Sequence, residues 1–414
     1  MNTGQRRYMK KQSNTPQIRF HNYKELWECD RLKNIFRTIR NAFVGTATPY
    51  YVEKGHFYLE SNNVKNGKIN YNSQIFINDE FYEKQRDKWL KTNDIVMVQS
   101  GHVGHTAVIP KELNNTAAHA LIVFTDYKKE VNPHFLNYQF QSSSKRKELD
   151  LISTGNTIKH ILASEMKSFK MDFPTVEEQS AIGSLFRTLD ELLSSYKDNL
   201  ANYQSLKATM LSKMFPKAGQ TVPEIRLDGF EGEWKIKRAD EIFKSVSEKN
   251  RALLPVLSAS QIDGMVLRDE IGIDIKYDEA TLNNYKVVKP GQFVIHLRSF
   301  QGGFALSKLE GITSPAYTII DFIDKKNHLS GFWNSILTSK EFIKRLETVT
   351  YGIRDGKSIS FKDFSSLKFI FPNLEEQQAI GKYFTNLDNL ITSYQEKISQ
   401  LETLKKKLLQ DMFI

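Results

Sequence analysis

FPTVEEQSAIG at 173–183 returns as FPNLEEQQAIG at 371–381, and this doubled phrase decides how the whole chain is read. Aligned without gaps at a separation of 198, residues 173–215 and 371–413 agree at 19 of 43 positions, including Glu177/Glu375, Gln179/Gln377, Leu189/Leu387, Tyr196/Tyr394 and Phe215/Phe413. Agreement on that scale marks an internal repeat. The same separation pairs IVMV (95–98) with FVIH (293–296) and TAAHALI (116–122) with SPAYTII (314–320). Farther upstream, PQIRFHNYKELW (16–27) pairs with PEIRLDGFEGEW (223–234) at a separation of 207, so the first copy carries nine extra residues. A unit of about 200 residues is therefore written twice, with its junction at PKAGQTV (216–222), where proline and glycine interrupt regular structure.

Each unit has two parts. Residues 16–174 and 223–372 mix short β-branched runs, such as ALIVFTD and YTIIDFI, with helical patches such as SGFWNSILTSKEFIKRLE, the pattern of a compact α/β domain. The second part is one long helix per copy. Thr175 with Glu178, and Asn373 with Glu376, stand as N-cap and N3 of a capping box directly after Pro174 and Pro372. Apolar residues then step by four and three: Ile182, Phe186, Leu189, Leu193, Tyr196, Leu200 and Tyr203 in the first copy, Ile380, Phe384, Leu387, Ile391, Tyr394, Ile398 and Leu401 in the second. That alternation is a coiled-coil seam. About 38 residues at ~1.5 Å each make a helix of roughly 57 Å, whose apolar stripe needs a partner. The other copy is the nearest one, and two equivalent helices self-complement when they pack antiparallel under a pseudo-two-fold axis. The expected fold class is α+β, with two pseudo-symmetric α/β domains separated by two long helices in an antiparallel coiled coil.

Composition is that of a folded protein: 40% hydrophobic, 12% aromatic and 26% charged over 414 residues. No apolar run approaches the ~18 residues of a membrane span and the basic start lacks an apolar core, so a soluble, cytoplasmic protein with no membrane partner is expected. Cys29 is the only cysteine, which excludes an internal disulfide framework and a thiolate metal cluster. The net charge is +10, an excess suited to a polyanion. Its placement is informative. Segments 175–215 and 373–413 each carry a net −1, leaving +12 on the remainder, so the polyanion belongs to the globular parts and not to the helices.

Catalytic patterns fare poorly. YGIRDGKS (351–358) lacks the first glycine of a phosphate-binding loop, where Tyr351 stands. No Asn-Pro-Pro-Tyr or Asp-Pro-Pro-Tyr tetrapeptide of an amino-methyltransferase occurs, and no glycine-rich strand-to-helix turn offers a cofactor seat. Asp228, Glu233 and Lys235 could imitate a metal-dependent nuclease core, but the first copy has His21, Leu26 and Glu28 there, which favours a surface loop. His102 and His105 in SGHVGH have a spacing compatible with metal, yet no cysteine or further histidine stands nearby and the second copy reads SFQGG. Tyr196 and Tyr394 could stack on bases, but on the seam they read as packing residues.

With these residues in view, the chain resembles the DNA specificity subunit of type I restriction-modification enzymes. The resemblance runs from the PxIR…W stretches at Pro16 and Pro223 to the twice-written FPxxEEQxxIG helix. It implies target recognition domains at 1–174 and 216–372, and the family's conserved helical regions at 175–215 and 373–414. Each recognition domain would read one half of an asymmetric bipartite site in double-stranded DNA. The helices would set the spacing and dock two methyltransferase subunits, and through them restriction/translocase subunits. By the same resemblance the chain is non-catalytic and binds no cofactor, and S-adenosylmethionine, ATP and Mg²⁺ belong to the partners. No metal site is expected.

Side chains on base edges give specificity, and Lys or Arg on phosphates give affinity. GNTIKHI (155–161) pairs with IRDGKSI (353–359), placing Lys159 and Lys357 alike before the last strand of each domain. They are the expected phosphate contacts, with Arg354 and Asn156 beside them. Gln99, Ser100 and His102, and in the second copy Arg298 and Gln301, follow an apolar strand on a glycine-containing loop and are the expected readers. Two other classes compete: a metal-dependent nuclease, which would cut plasmid without partners, and a coiled-coil scaffold whose basic domains hold RNA or acidic proteins and show no preference among duplex sequences.

Overall fold

The structure is a computed structural model and describes residues 15–155, 157–260, 263–271, 279–296, 303–347 and 360–414. Contacts divide it into two compact units, the first made of residues 1–197 with 396–414 and the second of 198–395. Neither unit coincides with one sequence copy. Each holds a globular domain, the first half of the helix that leaves it, and the closing half of the other helix.

In unit 1 the chain runs through β1 (Glu28–Arg31), β2 (Phe36–Asn41), β3 (Ile95–Val98), β4 (Thr106–Val108), β5 (Leu121–Tyr127), α1 (Pro133–Gln141), α2 (Ser143–Ile152), β6 (Lys170–Phe173) and then α3 (Val176–Lys213). Strands β2, β5, β3 and β4 form a four-stranded sheet in that order, and β1 pairs antiparallel with β6. A second four-stranded sheet joins Ala117–Ala118, His56–Leu59, Ile75–Ile77 and Tyr51–Val52. Three of its strands come from residues 51–77, inside the stretch where the first copy is longer, and the fourth from 117–118, beyond it. The run IVMV is buried at every position because it lies inside a sheet covered on both faces.

Unit 2 repeats the plan with β7 (Lys235–Arg238), β8 (Phe243–Val246), β9 (Phe293–Ile295), β10 (Phe304–Leu306), β11 (Thr318–Phe322), α4 (Ser330–Leu337), α5 (Lys340–Glu347), β12 (Lys368–Phe371) and α6 (Leu374–Asp411). Its main sheet has the matching order β8, β11, β9, β10, and β7 pairs with β12 as β1 does with β6. The ungapped sequence alignment does not survive in the strands. Ile95 faces Phe124 across the first sheet, whereas Phe293 faces Ile320, two residues short of the aligned Phe322. A slip of two keeps every side chain on its own face, so the apolar pattern tolerates it.

The two helices run antiparallel, as each unit shows by itself. In unit 1, Lys405 of α6 binds Asp190 of α3 at 2.7 Å, Lys197 binds Glu402 at 2.6 Å and Lys397 lies over the Tyr196 ring. In unit 2, Tyr203 packs on Tyr394, Lys207 binds Asp388, and Phe215 stacks on Phe384 at 6.0 Å. Numbers rise along one helix as they fall along the other. Of the seam residues, Ile182, Phe186, Leu189, Leu193, Ile380, Phe384, Leu387 and Ile398 are buried. Tyr196, Leu200, Ile391 and Tyr394 are half-buried.

The core of unit 2 contains a titratable group. His328 is buried, its ring stacks on Phe322, and Trp333 donates its indole N–H to His328 Nδ1 at 3.2 Å. Burial, with Lys237 nearby, pushes His328 from 6.5 down to about 4. The unfolded chain thus takes up this proton at a higher pH than the folded one, and the histidine's contribution to stability, full above pH 6.5, is lost as pH falls toward 4. Thermal unfolding followed from pH 7 to pH 4 is expected to show His328→Gln losing less stability than the native protein over that window. Parallel curves would exclude His328 as a source of the acid sensitivity.

Candidate nucleic-acid interface

The doubled phrase is a joint. Glu178 is fully buried and forms a bidentate pair with Arg19, both contacts 2.7 Å; Arg226 and Glu376 repeat it at 2.8 and 2.7 Å. This alters the capping expectation. Thr175 and Asn373 do accept the backbone N–H of Glu178 and Glu376, but neither glutamate carboxylate closes the box, because each is drawn to an arginine, a stronger partner than an amide. Gln179 accepts the N–H of Asn132 and donates to the carbonyl of Pro174; Gln377 does the same with Leu329 and Pro372. Gly183 completes the joint by close approach. A Cβ there would sit 2.8 Å from Asn132 Oδ1 and 3.2 Å from the Phe135 nitrogen, at the start of α1. The loop carrying Asp228 and Glu233 serves this joint too, since the carbonyls of Glu231 and Gly232 accept from Arg226. Domain and helix are thereby fixed to one another.

In unit 1 the structure brings two of the predicted stretches together. The loop after β3 and the loop before β6 are stitched by backbone bonds: Gly101 donates to the Lys159 carbonyl at 3.1 Å, Ile161 to the Gln99 carbonyl at 2.9 Å, and Ser100 bridges to His160. Gln99, Ser100, His102 and Lys159 therefore share one edge of the domain. Lys159 makes a 3.2 Å ion pair with Asp150 in which both side chains are about half exposed or more. Such a pair is worth about 0–1 kcal/mol.

The pattern reading missed Arg146. Its guanidinium, from α2, donates to His105 Nδ1 at 3.2 Å, and the Asn66 amide donates to the same nitrogen at 3.2 Å. Burial together with Arg146 pushes His105 down to about 4, so its ring is neutral at physiological pH and anchors the 101–105 loop as an acceptor. A nitrogen so occupied is not free for a metal. Among the described residues no group of three or more His, Cys, Asp or Glu is placed to hold one. Leu151, Ile158 and Leu162 are also exposed beside this edge, at 84%, 55% and 55%. Asn156, Arg298, Gln301, Arg354 and Lys357, and the YGIRDGKS stretch, lie outside the described residues. Tyr196 and Tyr394 sit on the helix seam, as described.

Comparison with known proteins defines the class. The family model described as type I restriction modification DNA specificity domain matches twice, at residues 25–202 and 231–403, one match per copy. The chain belongs to this family. It is 23% identical over 409 residues to the type I restriction enzyme MjaVIII specificity subunit of Methanocaldococcus jannaschii, covering 93% of this chain and 91% of that one. It is also 23% identical over 406 residues to the putative MjaX specificity subunit of the same organism, covering 93% and 92%. Among solved structures it resembles the type I restriction-modification S subunit from M. genitalium, with a TM-score of 0.62 at 16% identity over 97% of this chain and 99% of that one, a likeness of fold. Among the described residues no helix is long and apolar enough to cross a membrane.

Proposed function

We propose that this chain is the DNA sequence-recognition subunit of a type I restriction-modification complex, with each globular domain reading one half of an asymmetric bipartite site and the paired helices setting the gap. The carrying observation is the duplication itself: two domains of one plan, each bolted to its helix by the same Arg–Glu pair, with an excess of basic charge outside the helices. Different loops on equal frames, GHVGHTAV against FQGGFALS, suit two different half-sites. The helices are proposed to dock two methyltransferase subunits and, through them, restriction/translocase subunits. Catalysis, S-adenosylmethionine, ATP and Mg²⁺ are assigned to those partners, in a cytoplasmic complex.

The direct test is to co-express the chain with its cognate methyltransferase subunit in a host lacking other methylases and read the methylome by single-molecule sequencing. One bipartite motif with a fixed gap, modified on both strands, is expected. Absence of any motif beside an active partner would overturn the reading and favour the scaffold.

Lys159 and Lys357 are proposed as phosphate contacts, and Gln99, Ser100 and His102 as readers. Each phosphate neutralised contributes about 0.9 to the slope of log affinity against log salt. Lys159→Ala combined with Lys357→Ala is therefore expected to lower the slope by about 2 and to weaken binding alike on specific and unrelated duplexes. A slope unchanged in fluorescence-anisotropy titrations at several salt concentrations would remove both lysines from the interface.

A further inference from the structure

Unit 2 contains a cleft of about 680 Å³ between the 216–221 stretch and the face formed by α4, α5, β7 and β12. Ile236, Ile336, Phe342 and Ile370 give it an apolar floor, and Leu211 and Phe215 close one side. Lys217, Lys344, Arg345 and Lys368 line it as cations, with Glu341 the acidic side chain among its lining, and Lys217 is paired outside the lining with Glu224 at 3.1 Å. Arg345 donates to the Lys368 carbonyl at 2.8 Å, which ties its guanidinium to the strand that carries Lys368.

The same fold positions in unit 1 are built otherwise. Ser142 and Ser339 cap α2 and α5 alike, each accepting the N–H three residues on, so Lys145 stands where Phe342 stands and Glu148 where Arg345 does. Strand pairing likewise matches Cys29 and Asp172 with Ile236 and Ile370. In unit 1, Lys145 is buried and binds Asp172 at 2.9 Å and Glu148 at 3.1 Å. A closed ionic cluster in one copy is thus an apolar floor with a basic rim in the other. Joining the domain to its helix does not demand an open cleft, since unit 1 makes the same joint with ionic filling.

We propose that this cleft is a binding site for one amphipathic organic anion per chain, its aromatic or acyl body on the isoleucine floor and its carboxylate or sulfonate among Lys344, Arg345 and Lys368. The volume lies within the roughly 300–1,000 Å³ of small-molecule sites, and apolar walls with a few convergent polar groups are their usual composition. The proposal does not depend on the DNA-reading assignment.

The probe is 1-anilinonaphthalene-8-sulfonate, titrated into the full chain and followed by fluorescence, with decanoate as competitor. One saturable equivalent displaced by decanoate is expected. Ile236 is half exposed, so Ile236→Glu places a charge on the floor with little cost to folding and is expected to weaken binding about tenfold or more. The exposed pair Lys344→Glu with Lys368→Glu is expected to weaken it similarly, whereas Cys29→Glu, at the matching place in unit 1, leaves it unchanged. Circular dichroism and the thermal midpoint verify that each variant is folded, and the double lysine variant decides the matter if Ile236→Glu is not. Unsaturable binding, several equivalents, or affinity indifferent to the lysine changes would overturn the proposal.

Discussion

Arg19→Met lowers the stability of unit 1 by about 3–5 kcal/mol, the range for removing one partner of a buried ion pair and leaving the other charge without compensation. Glu178 has no exposed surface and Arg19 only 12%, so solvent cannot take over the missing contacts. Arg19→Met with Glu178→Met is expected to recover most of the loss, because the apolar pair no longer desolvates a charge. Hydrogen exchange resolves the outcome by region: protection falls in α1 and the first turns of α3, while residues 198–395 keep theirs. Arg226→Met is expected to act in the same way on unit 2. A loss below about 1 kcal/mol, the ordinary value of an exposed pair, would show that the joint is held by packing and not by the Arg–Glu fork.

Phe413→Ala is the second large effect, at about 3–5 kcal/mol for removing a buried aromatic ring and leaving a cavity. Phe413 is 5% exposed and packs on Trp27, Phe135 and Phe186, with centroids 6.4, 5.6 and 5.8 Å away. Phe215 has the matching role against Trp234, Phe332 and Phe384. Denaturant unfolding followed by tryptophan fluorescence in a Trp234→Phe, Trp333→Phe background, which confines the signal to unit 1, is expected to show a lowered midpoint, with Phe413→Leu losing markedly less. Equal effects from leucine and alanine would mean that the ring fills no defined site.

The helices and the twofold plan were legible because a 3-4 apolar rhythm of more than five turns, written twice, has few other solutions. The joint was only half legible. Arg19/Arg226 and Glu178/Glu376 recur in both copies, which was a usable signal, but pairing across 159 and 150 positions follows from tertiary packing and not from spacing. Glu178 and Glu376 also satisfy the short-range pattern of a capping box, which local spacing cannot tell apart from a long-range ion pair. The strand slip between Phe124 and Ile320 left no trace, since a shift of two residues preserves each face. Arg146 was hidden in the charged run SSSKRKELD, where nothing distinguishes a positioning arginine from a solvated one. The proposed readers were placed by their position after an apolar strand, and the contact between the 99–102 and 159–161 stretches became visible only when β3 and the loop before β6 came together.

Unit 1 is closed by stretches far apart in the sequence: Ile18 donates its N–H to the carbonyl of Asp411 at 2.9 Å, as Ile225 does to Lys213 in unit 2. Geometry treats the two closures alike, but synthesis does not. Unit 2 is contiguous, from 198 to 395, and has all its parts once those residues have left the ribosome. Unit 1 begins first and must wait for residues 396–414, its Trp27, Phe135 and Phe186 rings meanwhile lacking the Phe413 that covers them. The two units are therefore completed in the reverse of the order in which they begin, and a nascent chain stopped before 396 presents one unit with all its residues and one whose aromatic face lacks Phe413, the kind of exposed surface on which chaperones and proteases act.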